Sequence, residues 1–132
     1  MQKTKRSIEW VIRRTTRNNL KYAGVHVVAD FWNGKPIEDA PVLREILVKA
    51  AQAAHATPLE VSIHKFSPQG ITGVVLLAES HIAVHSWPEY NYIAVDIFTC
   101  GDKSAPQKAL DYLKQELRPR KVESKKINRG AV

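Results

Sequence analysis

The order of apolar and polar positions divides most of the chain into strands and helices. Gly24–Phe31 is rich in branched residues and is stopped by Asn33-Gly34, which predicts a strand. From about Asp39 to Ala56, Val42, Leu43, Ile46, Leu47, Ala50 and Ala54 recur at helical spacing. Asp39 suits the N-cap, Pro41 suits the first turn, and Pro58 closes the helix. Leu59–Phe66 alternates, with Val61 and Ile63 on one face, and Ser67-Pro68-Gln69-Gly70 reads as a turn. Ile71–Ala78 is an almost unbroken apolar run, as in a strand covered on both faces. His81–Ser86 and Tyr92–Thr99 are two more strands, joined around Pro88-Glu89-Tyr90-Asn91. Ser104 and Gln107 have the spacing of a capping box, with Pro106 early in the turn. Ala109, Leu110, Leu113 and Leu117 then form the stripe of a second helix that Pro119 ends. Lys121–Ile127 reads as a final strand with a solvated basic tail.

These elements predict an α+β fold: a two-layer sandwich of an antiparallel-rich sheet with helices on one face. Strand–helix–strand–strand precedes position 79 and strand–strand–helix–strand follows it, without a residue-level repeat. So short a chain leaves the other sheet face open. A second copy packed face to face covers it, so a homodimer layered α/β/β/α is expected.

Composition adds bounds. A chain of 132 residues with 44% hydrophobic content suits one domain with a real core. No apolar run approaches the roughly 20 residues that span a bilayer, and no signal-peptide h-region follows the basic N-terminus. With Cys100 as the only cysteine there is no internal disulfide framework, and a cytoplasmic location is expected. The formal charge of +7 is unevenly spread. Residues 1–21 carry seven bases against Glu9, a net +6, whereas residues 22–132 carry thirteen bases and twelve acids. Residues 1–21 therefore read as a basic extension and 22–132 as the domain. The extension suits either an anionic partner or plain solvation, and solvation is the preferred reading, so nucleic acid is not expected as a partner. Ile8, Val11 and Ile12 have the spacing of one or two helical turns.

Chemistry-bearing residues concentrate in Glu79–Glu89 (ESHIAVHSWPE) and Asp96–Gly101 (DIFTCG). They contain no phosphate-cradling glycine loop, metal-ligand spacing or nucleophile elbow. Each residue alone has an ordinary reading: Ser80 bonded to backbone, His85 a satisfied core histidine, Cys100 a small apolar side chain. A Cys–His nucleophile from Cys100 and His85 is the leading catalytic form on residue types alone. Strand parity puts His81 and His85 on one face and Ser80 on the other, so Ser80 and His85 cannot meet across a regular strand.

Taken together, Glu79-Ser80-His81, His85–Glu89 and Asp96–Gly101 closely resemble the S-adenosylmethionine decarboxylase proenzymes of bacteria and archaea. The resemblance extends through His64–Gly70 and Gly73–Val75 to Gly24–His26, covers roughly residues 22–118, and leaves the leader unmatched. It implies a pyruvoyl enzyme that cleaves itself between Glu79 and Ser80 into chains of residues 1–79 and 80–132. Ser80 is then the pyruvoyl precursor, whose carbonyl forms a protonated imine with the substrate amine and stores electrons as pyridoxal phosphate does elsewhere. The same resemblance makes His85 the processing base, Cys100 the proton donor to the product carbon, and Thr72 the hydroxyl that assists the acyl shift. Phe66, Trp87 and Glu89 match the substrate pocket, with Phe66 stacking adenine and Glu89 gripping ribose hydroxyls. It further implies a homodimer of cleaved protomers with sites at the subunit interface, no metal, and decarboxylated S-adenosylmethionine for polyamine synthesis as product. The alternative within the family fold is a pyruvoyl-dependent arginine decarboxylase. A non-catalytic basic module using residues 1–21 is the rival from another class.

Overall fold

A computed structural model describes residues 21–100 and 104–132, so the expected helical turn around Ile8–Ile12 lies outside the described residues. The elements run β1 (Tyr22–Trp32), α1 (Ala40–Ala53), β2 (Pro58–Lys65), β3 (Ile71–Leu77), β4 (Ser80–Trp87), a 3-10 turn (Pro88–Tyr90), β5 (Tyr92–Thr99), α2 (Pro106–Leu117) and β6 (Lys121–Ala131). One six-stranded sheet has the order β2-β3-β4-β5-β1-β6, with every neighbouring pair antiparallel. This is the α+β sandwich that the periodicity predicts.

Both helices lie on one face. Val27, Ala29 and Phe31 of β1, Ile71, Val75 and Leu77 of β3, Ile82 and Val84 of β4, and Ile93, Val95 and Ile97 of β5 point into it. Leu43, Leu47, Leu110, Leu113 and Leu117 come down from the helices, all at most 1% exposed. Each such leucine contributes about 1.5–3 kcal/mol by leaving water. Gly73 sets how closely α1 approaches: a Cβ there would stand 2.7 Å from Leu43 Cδ2 and 2.9 Å from Leu47 Cδ1.

Asp39 caps α1, its Oδ1 accepting from the Val42 N–H at 3.4 Å, although Val42 itself is 46% exposed and outside the stripe. The capping box at α2 does not form. Ala105 takes the N-cap position without a side-chain cap, while Ser104 Oγ donates to the Cys100 carbonyl at 3.1 Å and Gln107 bonds Asp111. Pro106 leads the helix with no N–H to cap, which lowers the demand for that motif. The C-terminal tail also departs from expectation. β6 continues to Ala131 and pairs with β1 along its length, which gives the backbone of that basic segment its partners.

The run Ile71–Leu77 is covered on one face only. Leu76 is 48% exposed on the side away from the helices, next in register to His81. That open face carries the alternate residues of each strand, among them His26, Asp30, Thr72, His81, His85, Trp87, Tyr92, Asp96 and Phe98. Among the described residues nothing covers it.

Candidate active site at the hairpin turn

β3 and β4 form a hairpin closed by two residues, Ala78 and Glu79, because Leu77 pairs with Ser80. Two-residue loops normally place positive-φ residues at the two central positions, which favours Asn and Gly. Here neither loop residue takes a positive φ; Ser80, immediately after them, has φ +151°. A non-glycine residue seldom adopts such a value, and a strained residue of this kind costs on the order of 1–3 kcal/mol.

The peptide bond entering Ser80 is held from both sides. The Glu79 carbonyl oxygen accepts the backbone N–H of Cys100 at 3.0 Å and the Cys100 thiol at 2.9 Å. Cys100 is delivered there by register, since Thr99 at the end of β5 pairs with Ser80. The Glu79 side chain turns the other way, to the loop before β2. Its Oε1 accepts the Thr57 N–H at 2.9 Å and its Oε2 accepts the Thr57 hydroxyl at 3.3 Å. Ser80 Oγ lies 3.4 Å from His81 Nδ1, an open-face imidazole.

A second group gathers at the far end of the same hairpin. Thr72 and His85 are cross-strand partners, with Thr72 Oγ1 3.1 Å from His85 Nδ1. Trp87 tilts over His85 at 6.2 Å and stacks on Tyr92 at 5.3 Å, which in turn stacks on Trp32 at 4.5 Å. Phe66 is 50% exposed, edge-on to His64, in the turn closed by its own N–H on the Gly70 carbonyl. Glu89 is exposed in the 3-10 turn that follows Trp87. Gly70, at φ +98°, supplies the backbone freedom that turn requires.

Ser80 and Cys100 are thus brought together, as are Thr72, His85 and Trp87. The two groups are not. β4 runs as regular strand from Ser80 to Trp87, and five residues of strand separate Ser80 from His85 by about 17 Å. Cys100 and His85 are parted in the same way, so one chain does not form the Cys–His nucleophile that residue types alone allow. Nothing local in the chain points to Thr57, a threonine in a loop 22 positions from its partner. A groove of about 580 Å³ over β5, β1 and β6 lies away from Ser80. Among the described residues no three His, Cys, Asp or Glu side chains gather as metal ligands, and no helix is long and apolar enough to cross a membrane.

Residues 25–130 match the family model described as S-adenosylmethionine decarboxylase. The chain belongs to that family. It is similar to the S-adenosylmethionine decarboxylase proenzyme of Methanococcus vannielii, 44% identical over 86% of this chain and 94% of that one. The proenzyme of Acidithiobacillus ferrooxidans is 41% identical over 86% of each. The crystal structure of the adenosylmethionine decarboxylase from Aquifex aeolicus superposes with a TM-score of 0.79 at 38% identity, covering 85% of this chain and 94% of that one. The segment common to the S-adenosylmethionine decarboxylase family contains both side-chain groups and begins after the basic extension.

Proposed function

We propose that this protein is a self-processing S-adenosylmethionine decarboxylase whose pyruvoyl group arises from Ser80. Family membership supports the reaction class, and the comparisons give the arginine alternative no support. The observation that carries the processing step is the Glu79 carbonyl, held by two Cys100 donors beside a serine of strained backbone. Attack by Ser80 Oγ on that carbon puts negative charge on the carbonyl oxygen, where the donors already point, so their stabilisation grows toward the transition state. The hydroxyl proton has an acceptor within reach in His81 Nδ1. Collapse breaks the C–N bond, with that proton passed on to the departing nitrogen, and leaves an ester between Glu79 and the Ser80 oxygen. Breaking that peptide bond frees the +151° φ of Ser80, which favours that direction. Removal of the Ser80 Cα proton then breaks the Cβ–Oγ bond and expels the Glu79 carboxylate. Water converts the remaining dehydroalanine to pyruvoyl with loss of ammonia.

The products are a chain of residues 1–79 and a chain of residues 80–132, with the domain of residues 22–132 folded across the cut and residues 1–21 an extension outside it. The group so formed supplies an electron sink for the pair released with carbon dioxide. The protein's remaining tasks are binding and proton delivery. Phe66 and Trp87 offer ring faces to an adenine and to a cationic sulfonium, and Glu89 offers a carboxylate to ribose hydroxyls. In this reading the Cys100 thiol, freed from the Glu79 carbonyl once the bond is cut, donates the proton to the product carbon.

His85 acts on Ser80 although one protomer keeps them about 17 Å apart. A face-to-face homodimer resolves this. Two-fold packing of open faces lays the Thr72–His85 end of one hairpin over the Glu79–Ser80 end of the partner's, giving two composite sites. The half-covered rings of Trp87 and Tyr92 and the exposed Leu76 supply apolar area for such packing. Thr72, bonded to His85 Nδ1, then orients the imidazole and carries its hydroxyl to the same carbonyl.

Release of carbon dioxide from carboxyl-labelled S-adenosylmethionine tests the assignment. Wild-type protein should release it, Ser80→Ala should release none, and labelled arginine should be inert. Release from arginine alone would overturn the substrate.

A further inference from the structure

We infer that Thr57 is a positioning residue for self-cleavage, acting through the Glu79 side chain; this rests on the processing reading above. Glu79 has two negative ends to manage when its carbonyl is attacked: the oxygen that gains charge and its own carboxylate a few bonds away. Left free, the carboxylate repels the developing oxyanion and leaves the two-residue turn able to swing its carbonyl off the Cys100 donors. Thr57 counters both effects. Its N–H and hydroxyl bind one carboxylate oxygen each, at 2.9 and 3.3 Å, and hold the charge on the opposite side of the turn from Cys100. A third bond makes the attachment rigid, because the Thr57 carbonyl accepts the Ala78 N–H at 3.0 Å. The loop before β2 thus grips both residues of the hairpin turn, while the end of β5 grips the scissile carbonyl. The strained φ at Ser80 is retained between these two anchors.

The bonds are solvent-exposed, so the expected effect is moderate: a processing rate lowered on the order of fivefold when one is lost. Thr57→Val keeps shape and the N–H but removes the hydroxyl. Glu79→Ala removes both acceptors and should be slower still, and Thr57→Ser should restore the wild-type rate. Processing of each purified precursor is followed as the fraction of chain cleaved over time by denaturing electrophoresis. The double variant Thr57→Val/Glu79→Ala should be no slower than Glu79→Ala, since the two substitutions break one shared interaction. Thermal unfolding of the same variants in a Ser80→Ala background separates positioning from stability, and Thr57→Val should leave that midpoint within about 2 °C. Cleavage of Thr57→Val at the wild-type rate, or additive losses in the double variant, would overturn the clamp while leaving the processing reading intact. A wild-type chain that is never cut would remove both.

Discussion

The two ends of the β3–β4 hairpin meet different physical demands. The turn holds a carbonyl between two Cys100 donors, a serine at φ +151°, and a side-chain carboxylate fastened to a neighbouring loop. At the far end stand side chains with titratable or aromatic groups, held by the Thr72–His85 contact and by ring stacking. The proposed acyl shift needs the first environment, which is fastened on both sides and strained at Ser80. The proton removal and substrate recognition proposed above need the second, which is open to solvent. One hairpin too long to fold its own ends together holds both, and the proposed face-to-face dimer is what would unite them.

The largest effect expected from breaking this arrangement is at His85. His85→Ala should stall processing at the ester, by a hundredfold or more in the appearance of the pyruvoyl chain, on the order of the larger general-base effects. Hydroxylamine should cleave the accumulated ester. Co-expression with a Ser80→Ala chain should rescue the His85→Ala chain, because the partner lends its imidazole. Failure of rescue in verified mixed dimers would show that the two ends do not cooperate across an interface.

Cys100→Ala sharpens the turn end. It keeps the backbone N–H on the Glu79 carbonyl and removes the thiol, so cleavage should slow by about ten- to a hundredfold without stopping. A rate unchanged in time courses of the purified precursor would mean that the thiol does not polarise the carbonyl. The helix-covered face offers a contrast with both ends. Leu47→Ala should cost about 2–5 kcal/mol in denaturant unfolding and Gly73→Ala about 1–3, the first by a cavity and the second by collision with Leu43 and Leu47.

The smallest effect concerns Tyr92, beside Trp87. Burial first, and then its hydrogen bond to Asp30, push the phenol up to about 12. An unfolded tyrosine ionises near pH 10. The stability held by the neutral phenol is therefore complete below about pH 10 and is lost as pH rises toward about 12. Thermal midpoints of wild type and Tyr92→Phe should differ at pH 9 and converge as pH approaches 12. A gap that is constant with pH would refute the assignment.

Much of this was legible in the chain. Leu110, Leu113 and Leu117 had to share a helix face, and strand parity separated Ile82 and Val84 from His81 and His85 as found. Parity also showed that Ser80 and His85 could not meet on one regular strand, and β4 is regular. Contacts set by register were not legible. Nothing local says that Thr99 opposes Ser80, that Cys100 therefore reaches the Glu79 carbonyl, or that Thr57 binds its carboxylate. The Ser104–Gln107 motif misled because Ser104 finds the nearby Cys100 carbonyl and Pro106 already satisfies the helix start. The basic tail keeps its side chains exposed, as its charge suggests, but its backbone extends β6 to Ala131 because β1 offers partners there.

Intact mass of the purified wild-type protein under denaturing conditions tests the central claim most directly. The account requires two polypeptides divided after Glu79, the shorter one starting with a carbonyl where an amine would stand. A single species of 14.9 kDa that still contains Ser80, in protein given time to mature, would contradict it.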